Sequence, residues 1–196
     1  MNKAGKSLRV MLVDREAGRA RELSRSIEAD GHEVLYPHID RPLEESVRLG
    51  QPDVVIIDME YPDRDTLEDI TVLQQSMPLP VVVFSRDDTQ TTIDEAIRAG
   101  VAAYVVDGLD PSRVRSIMTV AIARFREHQS LKQELIKAQK TLEERKIVEK
   151  AKGILMKQRG MDEEQAYRTL RDLAMNRNQR IAQVADNVIA LAELLT

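Results

Sequence analysis

Apolar residues in the first 106 positions fall into five short runs rich in Val and Ile: residues 8–13 (LRVMLV), 33–36 (EVLY), 53–57 (DVVII), 80–84 (PVVVF) and 102–106 (AAYVV). Runs of this length and composition predict buried strands. Between them the apolar positions return every three or four residues, which predicts helices over Arg19 to Ala29 with Ala20, Leu23 and Ile27 inward, Pro42 to Leu49, Thr66 to Met77, and Thr89 to Ala99 with Ile93, Ala96 and Ile97 inward. Strict alternation of strand and helix requires parallel strands joined by right-handed crossovers, giving an α/β, doubly wound five-stranded sheet with helices on both faces. Gly31, Gly50 and Gly100 follow three of the helices, where a left-handed C-cap is expected.

Beyond Pro111 the strand pattern stops. Ser112 to about Arg159 reads as one very long helix, interrupted in composition only by Gly153. Leu131, Leu135, Ala138 and Leu142 repeat at intervals of 4, 3 and 4, the spacing of a short coiled-coil seam, before the stripe shifts to Ile147, Ala151 and Ile154. Two readings fit this seam: a helix packed on its own domain, or a homodimer contact, which better accounts for its length. Gly160 ends the helix, and Asp162 with Gln165 forms a capping-box signature for the next. There Ala166, Leu170, Leu173 and Ala174 share a face. A loop over residues 176–180 then precedes a last helix with Ile181, Val184, Ala185, Val188 and Ala192 on one side. The expected division is 1–122, 123–146 as a coiled-coil linker helix, and 147–196 as a small three-helix domain.

Composition narrows the chemistry. The 196 residues contain no cysteine, which removes disulfides and thiolate metal sites, and the three histidines have no ligand spacing. No apolar run approaches the roughly 18 residues of a membrane span, and the N-terminal stretch lacks the core of a signal peptide; a soluble cytoplasmic protein is expected. Residues 1–136 hold 17 basic and 24 acidic groups, whereas residues 137–196 hold 12 and 9, so a cationic tail follows an acidic body. That asymmetry favours an anionic partner for the tail.

In an open parallel sheet, function collects beyond the carboxyl ends of the strands, where Asp14, Asp58, Ser85 and Asp107 fall. This pattern, over about residues 7–125, resembles a response-regulator receiver domain. The resemblance implies the strand order 2-1-3-4-5, with Asp58 as the phospho-acceptor position, Ser85 as the hydroxyl position and Tyr104 as the switch aromatic. Receivers of the ordinary kind place a second acid after the first and a lysine after the fifth strand; here Arg15 and Asp107 stand there. A guanidinium repels magnesium, and a second carboxylate repels a phosphoryl group. Arg15 is instead suited to pair with Asp58 or Asp107 in a crevice whose charges balance internally, so control without phosphorylation, and without any metal or cofactor, is the expectation.

The tail carries Ala151-Lys152-Gly153, Leu155-Met156, Gly160, Glu164, Ala166-Tyr167, Leu170-Arg171, Ala174-Met175, Val184-Ala185 and Ile189 in order. It resembles the ANTAR domain, an RNA-binding antitermination module. With AYVVDGL at residues 103–109, the whole chain is similar to nitrate-responsive transcription antiterminators of the NasT type, and more distantly to the AmiR branch. The resemblance implies a regulator that binds hairpins in nascent leader mRNA, acts as a homodimer, and is held by a cytoplasmic nitrate or nitrite sensor protein. The cations Lys152, Lys157, Arg159, Arg171, Arg177 and Arg180, with Asn178, are the candidate RNA contacts. Tyr167 reads either as core or as a base-stacking group. The alternative is a DNA-binding two-component regulator controlled by phosphorylation of Asp58. It is disfavoured because the last helix exposes Gln183, Asp186, Asn187 and Glu193, an acidic surface for a major groove. No catalytic constellation is present, and an enzyme is not expected.

Overall fold

The computed structural model describes residues 7–14, 17–38, 40–106 and 110–194. They form two compact units, residues 1–129 and 130–196. In the first, strands β1 (Arg9–Asp14), β2 (Glu33–Leu35), β3 (Val54–Asp58), β4 (Val81–Phe84) and β5 (Ala103–Val105) alternate with helices α1 (Ala17–Ala29), α2 (Leu43–Gly50), α3 (Arg64–Ser76) and α4 (Gln90–Ala99). All strands are parallel, in the order β2-β1-β3-β4-β5.

The Val/Ile runs are unbroken because both faces of the sheet are covered. Val10, Leu12, Val54, Ile56, Val82 and Phe84 join Leu23 and Ile27 of α1 and Val114, Met118 and Ala121 of helix α5 (Pro111–Arg159) in one core. Their sequence neighbours Met11, Val55, Ile57, Val81 and Val83 point the other way, onto Val47 of α2 and Ile70 and Leu73 of α3. Successive strand side chains take opposite faces, so each run feeds two cores at once.

Two expectations about this unit need correction. Gly50 is not a left-handed cap: it is the last residue of α2, and Gln51 takes the left-handed conformation with φ 45°. Glycine serves space there, since a Cβ would meet Met11 Cε at 3.0 Å. Gly31 and Gly100 do adopt positive φ, 85° and 96°. Ile97 is 59% exposed and not inward; Ala96 and Ala99 are the buried residues of α4.

In the second unit the end of α5 packs with α6 (Glu163–Arg177) and α7 (Ile181–Leu194). Gly160, at φ 66°, ends α5. The Asp162 carboxylate accepts from the Gln165 backbone N–H at 2.8 Å while Gln165 Oε1 accepts from the Asp162 N–H at 3.1 Å, closing the capping box that the sequence indicates. Ala151, Leu170, Val184, Ala185 and Ile189 form the core, and Ala166, Ala174, Ala182 and Ala192 are also buried. Ile147, Val148, Ile154, Leu155, Leu173, Ile181 and Val188 pack around them. The α6–α7 connection is shorter than the expected 176–180: Asn176 and Arg177 belong to α6, and Asn178 caps it in the left-handed conformation at φ 51°. Asparagine tolerates that conformation through its short polar side chain.

Leu131, Leu135 and Leu142 are 58%, 58% and 54% exposed, and Ala138 is exposed as well. The stripe becomes buried where it shifts to Ile147, Ala151 and Ile154, which pack into the core of the second unit. Among the described residues no helix is long and apolar enough to cross a membrane.

Candidate functional site

The parallel register of β1 and β3 sets Asp14 directly beside Asp58 at the ends of their strands. Asp58 is buried, at 4% exposure. Both line a crevice of about 330 Å3 that also has His38, Arg41, Thr66 and Asp69 on its lining. Burial, reinforced by Asp65, Asp63 and Glu68, holds the Asp69 carboxyl above its ordinary value. Arg15 and Asp107, the two residues on which the charge argument turns, lie outside the described residues.

Ser85 and Tyr104 organise the neighbouring loop. The buried Ser85 hydroxyl donates to the Glu60 carbonyl at 2.9 Å and accepts from the Asp87 N–H at 3.0 Å. The Tyr104 hydroxyl donates to the Asp87 carbonyl at 2.9 Å. Burial pushes this phenol above the usual tyrosine value, so it remains a donor. Asp87 in turn accepts from Thr89 and Thr92, and its carboxyl is held below the ordinary range by the Thr89 backbone N–H first.

Receiver folds ordinarily hold magnesium among three acidic positions. Here Asp14 and Asp58 supply two carboxylates, the residue following Asp14 is an arginine, and no three His, Asp or Glu side chains among the described residues converge on a metal position.

The tail cations sort into two kinds. Lys157, Arg159, Arg171 and Arg177 are exposed and form no ion pair among the described residues. Arg180 is exposed too but lies 3.6 Å from Glu144. Lys152 differs from the expectation. Its side chain is only 9% exposed and its Nζ contacts Glu149 and Glu163, each at 2.8 Å. Those hydrogen bonds, Glu149 first, raise its pKa, and Lys152 depresses that of Glu163. Its ammonium is committed to holding α5 against the start of α6 and is not presented to an outside anion. Charge and spacing alone do not reveal such burial.

At α7 the Arg180 backbone N–H donates to Gln183 Oε1 at 3.1 Å. The carbonyl of Arg180 accepts from Gln183 and Val184, so Arg180 stands at the N-cap with the positive end of α7 behind it. Asn178 is exposed beside it.

With this geometry in place, comparison with known proteins is decisive at the level of family. Residues 10–119 match the response regulator receiver domain and residues 137–189 match the ANTAR domain. The chain belongs to the response regulators that join a receiver domain to an ANTAR domain. It is 30% identical over 182 residues to the transcriptional regulatory protein PdtaR of Mycobacterium tuberculosis, covering 92% of this chain and 89% of that one. It is also 38% identical over 80 residues to the nitrate regulatory protein of Klebsiella oxytoca, covering 41% of this chain and 20% of that protein. Among solved structures, a response regulator from Thermotoga maritima superposes with a TM-score of 0.53 at 19% identity, over 60% of this chain and 98% of that one. Vibrio cholerae CheY4 gives 0.51 at 18% identity, over 58% and 97%. These structural likenesses bear on the receiver fold alone.

Proposed function

We propose that the protein is a cytoplasmic RNA-binding transcription antitermination regulator. The 147–196 module grips hairpins in nascent leader mRNA, residues 123–146 pair two chains as a coiled coil, and the 1–122 receiver-like domain governs availability. The observation that carries this reading is the exposed set Lys157, Arg159, Arg171 and Arg177, unpaired among the described residues, on a module that matches the ANTAR domain. Exposed cations without carboxylate partners release counterions when they meet phosphate, and proteins read unpaired RNA loops most readily. Asn178 and Arg180 at the α6–α7 turn add to this set, with the positive end of α7 favouring phosphate.

Control is assigned to docking of a nitrate or nitrite sensor protein, not to phosphorylation of Asp58. Supporting this are the arginine at position 15 and the acid at position 107, and the partial likeness to a nitrate regulatory protein. The target is accordingly a leader of nitrate assimilation genes. Gel shift of the full chain on a leader RNA with two adjacent hairpins tests the reading, with Arg177→Ala and Arg180→Ala alongside. Expected are a shift of the parent, steep weakening with salt, and weaker shifts in both variants. Displacement by an equal concentration of duplex operator DNA would refute it. Incubating the chain with a small acyl phosphate and magnesium tests control: covalent labelling of Asp58 would overturn the docking assignment.

A further inference from the structure

Within the second unit a cavity of about 650 Å3 opens between the middle of α5, Tyr167 of α6 and the first turn of α7. Its apolar lining comes from Val148, Ile181 and Ala182, and its charged lining includes Arg145 and Arg180. The size lies within the range of sites that enclose a small organic group. Three observations describe what it suits. Tyr167 is 46% exposed, and its hydroxyl has no hydrogen-bond partner among the described residues. A tyrosine that only completed a helical core would be largely buried. Arg145 forms no ion pair among the described residues, whereas the acids on the same lining are engaged, Glu144 by Arg180 and Glu149 by Lys152. Finally, Ile181 and Ala182 are the first residues of α7, whose backbone N–H groups have no intrahelical acceptor.

An aromatic face, an unpaired guanidinium, an apolar lining and a few uncommitted donors are together the recognition set for a planar heteroaromatic ring carrying a phosphate. Bases stack on aromatic and guanidinium planes, and phosphate prefers a helix N-terminus with arginine beside it. We propose that this cavity is a nucleobase pocket that receives one unstacked base of the hairpin loop, with Tyr167 on the ring and Arg145 and Arg180 on the flanking phosphates. The inference rests on the RNA-binding reading above and deepens it. It separates the surface cations, which hold the backbone regardless of sequence, from a site that distinguishes loops with a base to insert. Glu144 holds Arg180 at 3.6 Å and yields it when a phosphate arrives.

The test uses the full chain and leader hairpins carrying 2-aminopurine, or an abasic nucleotide, at each loop position in turn. Binding of the parent is expected to quench 2-aminopurine strongly at one position, and an abasic nucleotide there weakens binding about 5- to 100-fold, the range of base–aromatic stacking. Tyr167→Leu, which keeps an apolar side chain on α6, loses both the quenching and the sensitivity to the abasic nucleotide, whereas Tyr167→Phe keeps both. If the parent binds the hairpins and Tyr167→Leu changes neither readout, the pocket is refuted and the RNA-binding reading stands. If the folded parent binds none of the hairpins, both fall.

Discussion

Replacing Leu131 and Leu135 by Ala is the most direct probe of how two chains come together. Both side chains are 58% exposed in the single chain, so over half of their apolar surface remains to be buried by a partner. Full burial of a leucine is worth about 1.5–3 kcal/mol, which leaves about 1 kcal/mol per side chain for the interface. Each position occurs twice in a symmetric pair, so the double variant removes roughly 4 kcal/mol, close to a thousandfold in the dimer dissociation constant. Alanine is at least as good a helix former as leucine, so helicity is expected to be unchanged. Sedimentation equilibrium across protein concentration reads the constant directly, and circular dichroism checks the fold. Val72→Ala, at a position 48% exposed on α3, is the control for apolar loss elsewhere. Affinity for a two-hairpin leader should fall with the dimer toward that for one hairpin, because linked binding is then lost. A dissociation constant within threefold of the parent would refute the seam, as would a parent that stays monomeric at tens of micromolar.

Other outcomes follow from the same coordinates. Leu170 is fully buried in the second unit, so Leu170→Ala should cost about 2–5 kcal/mol; thermal melts should show it, and melting of the first unit at its parental temperature distinguishes local from global damage. Gly100→Ala should destabilise by more than about 1 kcal/mol, because φ is 96° and a Cβ would stand 2.8 Å from Gln74 Cγ, while Gly50→Ala, whose new methyl meets the end of a flexible methionine at 3.0 Å, should cost less in the same urea titration. The Lys152–Glu163 pair gives a pH signature. Glu163 is depressed in the folded state, so its contribution is present above the ordinary glutamate value and is lost as pH falls through the lower folded value. Lys152 is raised, so its contribution is present below the ordinary lysine value and lost as pH rises beyond the folded one. Melting temperature followed against pH should show both limbs in the parent and neither at this site in Lys152→Met; an unchanged profile would count against the pair.

The sheet was legible because each strand is a Val/Ile run buried on both faces, and the carboxylates at its edge were legible because Asp14 and Asp58 end such runs. Crossover handedness fixes the hand of each strand-helix-strand unit, whereas the order of the strands comes from the resemblance to receivers. The misreadings share a cause: one-dimensional pattern records residue type, not environment. Ile97 has the spacing of an inward residue on a helix whose inner face is made by Ala96 and Ala99. Gly50 occupies a cap-like place but answers a steric demand from Met11, a residue 39 positions earlier. Lys152 carries the same charge as Lys157, yet beside Glu149, one helical turn back on α5, its second partner Glu163 becomes a neighbour only when α6 folds back on α5. The nucleobase cavity draws its lining from residues 141–149, 167 and 180–182, and no local motif joins those segments. Tyr167 stands out in the sequence, whereas nothing in the pattern marks Arg145.

The small interior of the C-terminal module has a thermodynamic corollary. A handful of buried side chains removes little hydrocarbon from water, and a unit of this size keeps only a slim margin over its unfolded ensemble. A transcript that engages the folded trihelix alone adds RT ln(1 + [RNA]/Kd) to that margin. Protease resistance of residues 147–196 should therefore climb with leader concentration, making the message a scaffold for its own reader.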